Sequence, residues 1–195
     1  MRYLLLIRHS QSQAEPNVPA RHWHLSEQGQ SYCENLAKRV ASYSPKQIIT
    51  SREPKAVETG QLVANWLQLP CSTAEDLHEH ERGNVPFLSQ EEFFSSVKRF
   101  FDEPDQLVMG QETAEQASAR FDAAVQSVLM ENSDSLAIVA HGTVMSLFAA
   151  KHTNIDVYSL WGRLGMPAVL VFSLPEMALV EIVEHVDASP PSHSE

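Results

Sequence analysis

A layered α/β fold, with a mostly parallel sheet and an antiparallel final strand pair, is predicted by three observations. The short apolar runs at 3–7 and 136–140 suit strands covered on both faces, and 47–50 is a further strand candidate. Segments with apolar residues at helical spacing separate them, and strand–helix alternation implies parallel strands. Last, 168–174 and 178–183 flank Pro175-Glu176 and read as a hairpin.

Each element has its own signal. After the first strand, Ser26 caps a helix that carries Tyr32, Cys33, Leu36, Ala37 and Val40 on one face and ends before Pro45. Pro54 suits the first turn of a second helix, with Val57, Leu62, Val63, Trp66 and Leu67. Ser89-x-x-Glu92 is a capping box ahead of Phe93, Phe94, Val97, Phe100 and Phe101, a stripe expected to be core. Thr113-x-x-Gln116 is a second capping box, ahead of Phe121, Ala124, Val125, Val128 and Leu129. A helix is expected again over 144–150. With no internal repeat and no linker, residues 1–186 read as one domain. The 187–195 tail lacks apolar periodicity and reads as disordered.

Composition narrows the function. The 195 residues carry a formal net charge of −11, which repels nucleic acid and anionic membrane. Cys33 and Cys71 form neither a disulfide framework nor a metal spacing and suit a reducing compartment. The apolar run at the N-terminus stops at Arg8-His9 after five residues, too few for a secretory or membrane segment, so a soluble cytoplasmic protein is expected.

In parallel α/β sheets ligands bind beyond the carboxyl ends of the strands. Arg8-His9, Ser51-Arg52 and His141-Gly142 each follow a strand directly, so three strand ends deliver basic or imidazole groups to one edge. A neutral imidazole is nucleophilic near pH 7 and accepts a phosphoryl group, while an adjacent guanidinium grips phosphate oxygens and disfavours the imidazolium.

An ordered set of motifs carries a resemblance. Arg8-His9-Ser10 resembles the Arg-His-Gly signature of the histidine-phosphatase (phosphoglycerate-mutase-like) superfamily, branch 1 type. Leu25-Ser-Glu-Gln-Gly29 is similar to its Leu-Thr-x-x-Gly, and 50–59 resembles its Ser-Ser-Pro-x-x-Arg-Ala-x-x-Thr segment. Leu77-His78-Glu79 with Gly83 resembles Leu-x-Glu-x-x-x-Gly, Gly110-Gln-Glu-Thr113 resembles Gly-Gly-Glu-Ser, and Val139-Ala140-His141-Gly142 resembles the distal His-Gly. The resemblance implies a three-layer α/β/α sandwich. It implies that His9 is the phosphoryl acceptor, that Arg8 grips the phosphate, and that His141 donates to phosphate oxygens. Glu79 would protonate the leaving oxygen and then serve as base for water, with a pKa raised by the bound phosphate.

Two departures stand out. Ser10 replaces the family's Gly, where its hydroxyl could meet the phosphate. The second arginine aligns with Lys55, while Arg52 sits three residues earlier; Lys55, as the aligned residue, is favoured over Arg52 as phosphate ligand, though it lacks the bidentate fork. Ser12 is a further candidate phosphate contact. His22-x-His24 and His78-x-His80 lack a completing ligand set, so neither metal nor cofactor is expected. His80, Glu81 and Arg82 read as pocket rim or solvent-facing, and Arg163 as a solvated helix residue. The function expected is a metal-independent phosphatase working through a phosphohistidine on His9. Its partner would be a small phosphorylated substrate or a phosphoprotein, without nucleic acid or membrane. The alternatives are a phosphoglycerate mutase, for which Arg82, Lys98 and Arg99 are the only cations in the insert, and a non-catalytic phospholigand binder. Substrate identity and oligomeric state are not legible.

Overall fold

The computed structural model describes residues 1–86 and 88–187; all of the expected tail after Asp187 lies outside the described residues. In chain order the elements are β1 (Arg2–Arg8), α1 (Glu27–Ala41), β2 (Ile48–Thr50), α2 (Pro54–Leu67), β3 (Cys71–Thr73), α3 (Gln90–Asp102), α4 (Ala114–Glu131), β4 (Leu136–Ala140), α5 (Gly142–His152), α6 (Val157–Arg163), β5 (Ala168–Leu174) and β6 (Ala178–Val183). The six strands form one sheet in the order β3-β2-β4-β1-β5-β6. β3, β2, β4 and β1 run parallel, and β5 runs antiparallel to both β1 and β6.

Because neighbouring strand residues point to opposite faces, each apolar run supplies two layers at once. Leu4 and Leu6 of β1, with Leu136 and Ile138 of β4, pack with Phe121 and Val125 of α4 and Phe148 of α5. Leu5 and Ile7, with Ala137 and Val139, face Leu36 and Val40 of α1 and Ala56 and Val63 of α2. The expected three layers result, the sheet lying between two helical layers. A satellite cluster under α3 gathers Val97, Phe100, Phe101, Met109, Ala117 and Trp161.

Local chemistry explains the helix starts. Ser26 accepts from the Gly29 amide, and both expected capping boxes form, Ser89 with Glu92 and Thr113 with Gln116. One strand escaped the sequence patterns, and one helix face needs correcting. β3 is a short exposed edge strand without an apolar signal. The buried face of α2 is Lys55, Ala56, Thr59, Gly60, Val63 and Ala64, and Trp66 is 55% exposed. Small residues let α2 lie close on the sheet and on α1, and the large ring is left outside. In the Phe stripe of α3, Phe100 and Phe101 are core, whereas Phe94 is exposed.

Phe148 lies edge-on between Phe121 and Phe172, with centroids 6.0 and 5.5 Å away, and is fully buried. Phe148→Ala is expected to cost about 3–5 kcal/mol, read as a lower denaturant midpoint with an unchanged slope.

Candidate active site

Strand register brings the functional groups together. Arg8 pairs with Ala140 and Thr50 with Val139. Beyond the last pairs the ladder continues, His9 N–H donating to Ala140 O at 3.0 Å and Ser51 N–H to Val139 O at 2.9 Å. His9, Ser51 and His141 therefore leave three adjacent parallel strands at one level. The two imidazoles meet edge to face with centroids 5.2 Å apart.

The turn after His9 is tied down on both sides. Ser10 N–H donates to Thr59 Oγ1 at 3.0 Å, and the Thr59 hydroxyl donates to Lys55 O at 2.7 Å, which fastens α2 to the turn. Ser10 Oγ donates to Gly29 O at 2.6 Å and is fully buried, so this hydroxyl is committed to α1. Gly29 must be small there, since a Cβ would stand 2.0 Å from Gln11 O.

His9 Nδ1 lies 2.7 Å from Ser10 O. A carbonyl only accepts, so Nδ1 carries the proton and the lone pair is left on Nε2. Burial first, then His141, Lys55 and Arg8, holds His9 well below the ordinary histidine value. Burial also holds His141 well below it, with Lys55, His78 and Arg82 adding to the effect and Glu79 opposing it. Both rings are neutral near pH 7. His141 Nε2 is 2.9 Å from Ser51 Oγ and 3.4 Å from Glu53 Oε1, and its Nδ1 is buried without a partner.

The sequence-predicted cations divide. Arg8 is largely buried and donates to Leu164 O, with its Nε unpartnered. Its guanidinium passes where a side chain on residue 142 would stand, 3.0 Å from that Cβ position, which explains Gly142. Lys55 is buried, and its Nζ donates to Glu53 Oε2 at 2.5 Å and to Ala20 O at 2.6 Å. Arg52 is not brought in: it pairs with Glu75 on the surface, both side chains about two-thirds exposed. Ser12 bridges to Leu25 and lines an open polar groove of about 580 Å³ with Gln11 and Ser26; no hydrogen bond joins its hydroxyl to the cluster.

Glu79 stands at the N-terminus of α5. Its carboxylate accepts from the amides of His80 (2.9 Å), Thr143 (3.1 Å) and Val144 (3.3 Å), and Arg82 Nη2 lies 3.7 Å away. Burial alone would raise its pKa. Arg82, His141 and the amides of His80 and Thr143 outweigh burial and hold the carboxyl far below the usual range. The rise expected for Glu79 concerns the pocket with phosphate bound; in the free protein Arg82 and the amides at the start of α5 favour the ionised carboxyl. A bidentate pair steadies its segment: Arg120 grips Glu112 at 2.7 and 3.1 Å and donates to the carbonyls of Asp76, His78 and Glu79, while Glu112 accepts from the Glu81 amide at 3.0 Å.

Two participants escaped sequence reasoning. Arg82 is no rim residue: it stands over the Phe93 ring at 5.1 Å with a buried, unpartnered Nη1, and its charge reaches Arg8, Glu79 and His141. Its spacing three residues after Glu79 is the one signal that could have found it. Glu53 is buried between Lys55 and His141 and also accepts from the Glu79 amide at 2.9 Å, which no pattern announces. His80 needs correcting as well. It is buried, stacks on Phe100 at 4.2 Å and donates from Nε2 to Glu112 O at 3.2 Å. Arg163 pairs with Glu184 and stays half-exposed, and His24 pairs with Glu58 on the surface. Among the described residues, no group of three or more His, Cys, Asp or Glu is disposed to hold a metal ion, and no helix is long and apolar enough to cross a membrane.

Comparison with known proteins adds a family and a fold. A family model described as the histidine phosphatase superfamily (branch 1) matches residues 4–174. No curated protein sequence matches the chain. Among solved structures, Bacillus stearothermophilus YhfR superposes with a TM-score of 0.73 at 23% identity, covering 96% of this chain and 98% of that one. A mutant phosphoserine phosphatase from Entamoeba histolytica in complex with phosphoserine gives 0.75 at 15% identity, over 94% and 97%. The alpha-ribazole phosphatase from Shigella flexneri gives 0.69 at 18% identity, over 97% and 100%.

Two buried neutral imidazoles make stability depend on pH. Their folded pKa values lie below the ordinary 6.5, so the unfolded chain binds more protons once the pH drops under that value. Stability is expected to be full above about pH 6.5 and to fall below it. Thermal melts across this range check it, and His141→Asn should flatten the slope.

Proposed function

Because the chain belongs to branch 1 of the histidine phosphatase superfamily, we propose that it hydrolyses a phosphomonoester in two steps through a phosphohistidine on His9. The observation that carries this reading is the state of His9: neutral, with Nδ1–H held by Ser10 O and the Nε2 lone pair free. Nε2 attacks phosphorus and the bond to the leaving oxygen breaks in line. Water, giving its proton to Glu79, then attacks phosphorus; the P–N bond breaks, its electron pair returns to Nε2, and inorganic phosphate leaves. Arg8, Lys55 and His141 are assigned to the phosphoryl oxygens, where donors fixed in advance lower the barrier. Ser12 and Arg52 are not assigned there, given their surroundings. Residues 1–186 would act as one cytoplasmic, metal-independent domain on a small phosphorylated substrate.

Glu79 is assigned the proton transfers. Ionised in the free protein, it is ready as base for water in the second step. Negative charge arriving with the substrate would raise its proton affinity, and the carboxyl that protonates the leaving oxygen would form in that complex.

The mutase alternative draws no support from the insert. Lys98 pairs with Asp102 and Arg99 with Glu103 on the outer face of α3, and Arg82 is turned to Glu79 and Phe93. Of the three only Arg82 faces the pocket, and one cation alone is poor provision for a second phosphate.

Two experiments test the reading. His9→Ala should abolish p-nitrophenyl phosphate hydrolysis and acid-labile labelling by a radioactive phosphodonor, with an unchanged circular dichroism spectrum; turnover at the wild-type rate would refute the nucleophile. Glu79→Gln should still form phosphoenzyme from p-nitrophenyl phosphate, whose leaving group departs without a proton, giving a burst and then slow turnover. With an alkyl phosphate it should lose about 100-fold or more. Because the second step is common to both substrates, the comparison is made on the rate of phosphoenzyme formation; equal losses there would remove Glu79 from its acid role.

A further inference from the structure

The carboxylate of Glu53 occupies an unusual position for a phosphate-binding pocket. Its side chain is about nine-tenths buried. One oxygen takes the Lys55 ammonium at 2.5 Å. The other takes the Glu79 amide at 2.9 Å and lies 3.4 Å from His141 Nε2. A cation, an imidazole nitrogen and a backbone amide are the donors that a phosphoryl oxygen would require, and two of them belong to residues assigned above to phosphate. Glu53 sits at the N-cap of α2 with extended backbone, yet its side chain makes no capping bond to that helix. It is spent on the pocket instead.

We propose that Glu53 is a resident anion of the phosphate pocket, which a phosphoryl group must displace from Lys55 and His141 in order to bind. The proposal rests on the phosphatase reading of the site and adds a selectivity to it. A phosphate dianion entering beside a buried carboxylate meets like charge at close range, and low local dielectric leaves that repulsion poorly screened. Bare phosphate therefore binds weakly. A substrate whose remaining part makes its own contacts can spend that binding on moving Glu53 aside. Once hydrolysis has severed that part, the carboxylate returns to Lys55 and competes with the product. Glu53 thus selects against small unadorned phosphates and limits product inhibition.

The test needs no turnover. Titration calorimetry with inorganic phosphate on wild type, Glu53→Gln and Glu53→Ala is expected to show roughly tenfold or more tighter binding in the variants. The amide of Gln keeps the shape and an acceptor for the Glu79 N–H while removing the charge. Affinity that is equal or weaker in the variants, or absent from all three proteins, overturns the proposal. Should both variants fail to fold, a wild-type crystal with phosphate or vanadate decides: Glu53 swung off Lys55 supports it, and an anion seated with Glu53 unmoved overturns it. Loss of the phosphohistidine reading would leave the affinity difference in place. Failure of this proposal would leave the acid-labile phosphoenzyme.

Discussion

The hydrogen-bond register of β2, β4 and β1 is the constraint from which the site follows. Two ladder bonds past the last strand residues, from His9 to Ala140 and from Ser51 to Val139, hold three chain exits side by side. A one-residue slip in either pairing would turn every side chain of that strand to the other face, moving the β1 residues into the wrong buried layer and separating the imidazoles. Apolar burial on both faces of the sheet thus enforces the alignment of polar groups at its end. The site inherits precision from a core with which it shares no atoms.

Charge accounts for the rest of the geometry. In a protein of net charge −11, Arg8, Lys55 and Arg82 gather around two neutral histidines, with Glu53 and Glu79 set among them. Buried charges need partners, and each cation has found one: a carbonyl for Arg8, Glu53 and a carbonyl for Lys55, Glu79 and an aromatic face for Arg82. The free protein is nearly self-neutralised at this edge. An arriving anion exchanges partners rather than filling a bare positive hole.

The sequence made legible whatever has a period or a fixed local geometry. The strands at 3–7 and 136–140, the caps at Ser26, Ser89 and Thr113, and the paired histidines after two strands were readable because burial and capping act over a few residues. The family motifs added Glu79, whose partners lie 64 and 65 positions away. Glu53 was not readable, and Arg82 only through its spacing from Glu79: each is one charged residue in a loop or helix start, and its meaning comes largely from groups remote in the chain. The ionised state of Glu79 in the free protein was out of reach for a related reason. The sequence places a carboxylate near an anion site, but only the fold puts the amides of Thr143 and Val144 beneath it. Trp66 shows the limit of periodicity, since helix pitch cannot say that α2 turns its smallest residues inward.

The Glu112–Arg120 pair has a consequence for how such a scaffold can change. Arg120, rooted in the long α4, holds the carbonyls of 76, 78 and 79, so the strip bearing Glu79 is anchored independently of what comes next. Gly83 follows that anchor, and Asn84 is tied separately, its Nδ2 donating to Gly110 O at 3.2 Å. Changes in the chain after Gly83 leave the Glu79 carboxylate where it is, so the pocket can acquire new neighbours without losing its geometry.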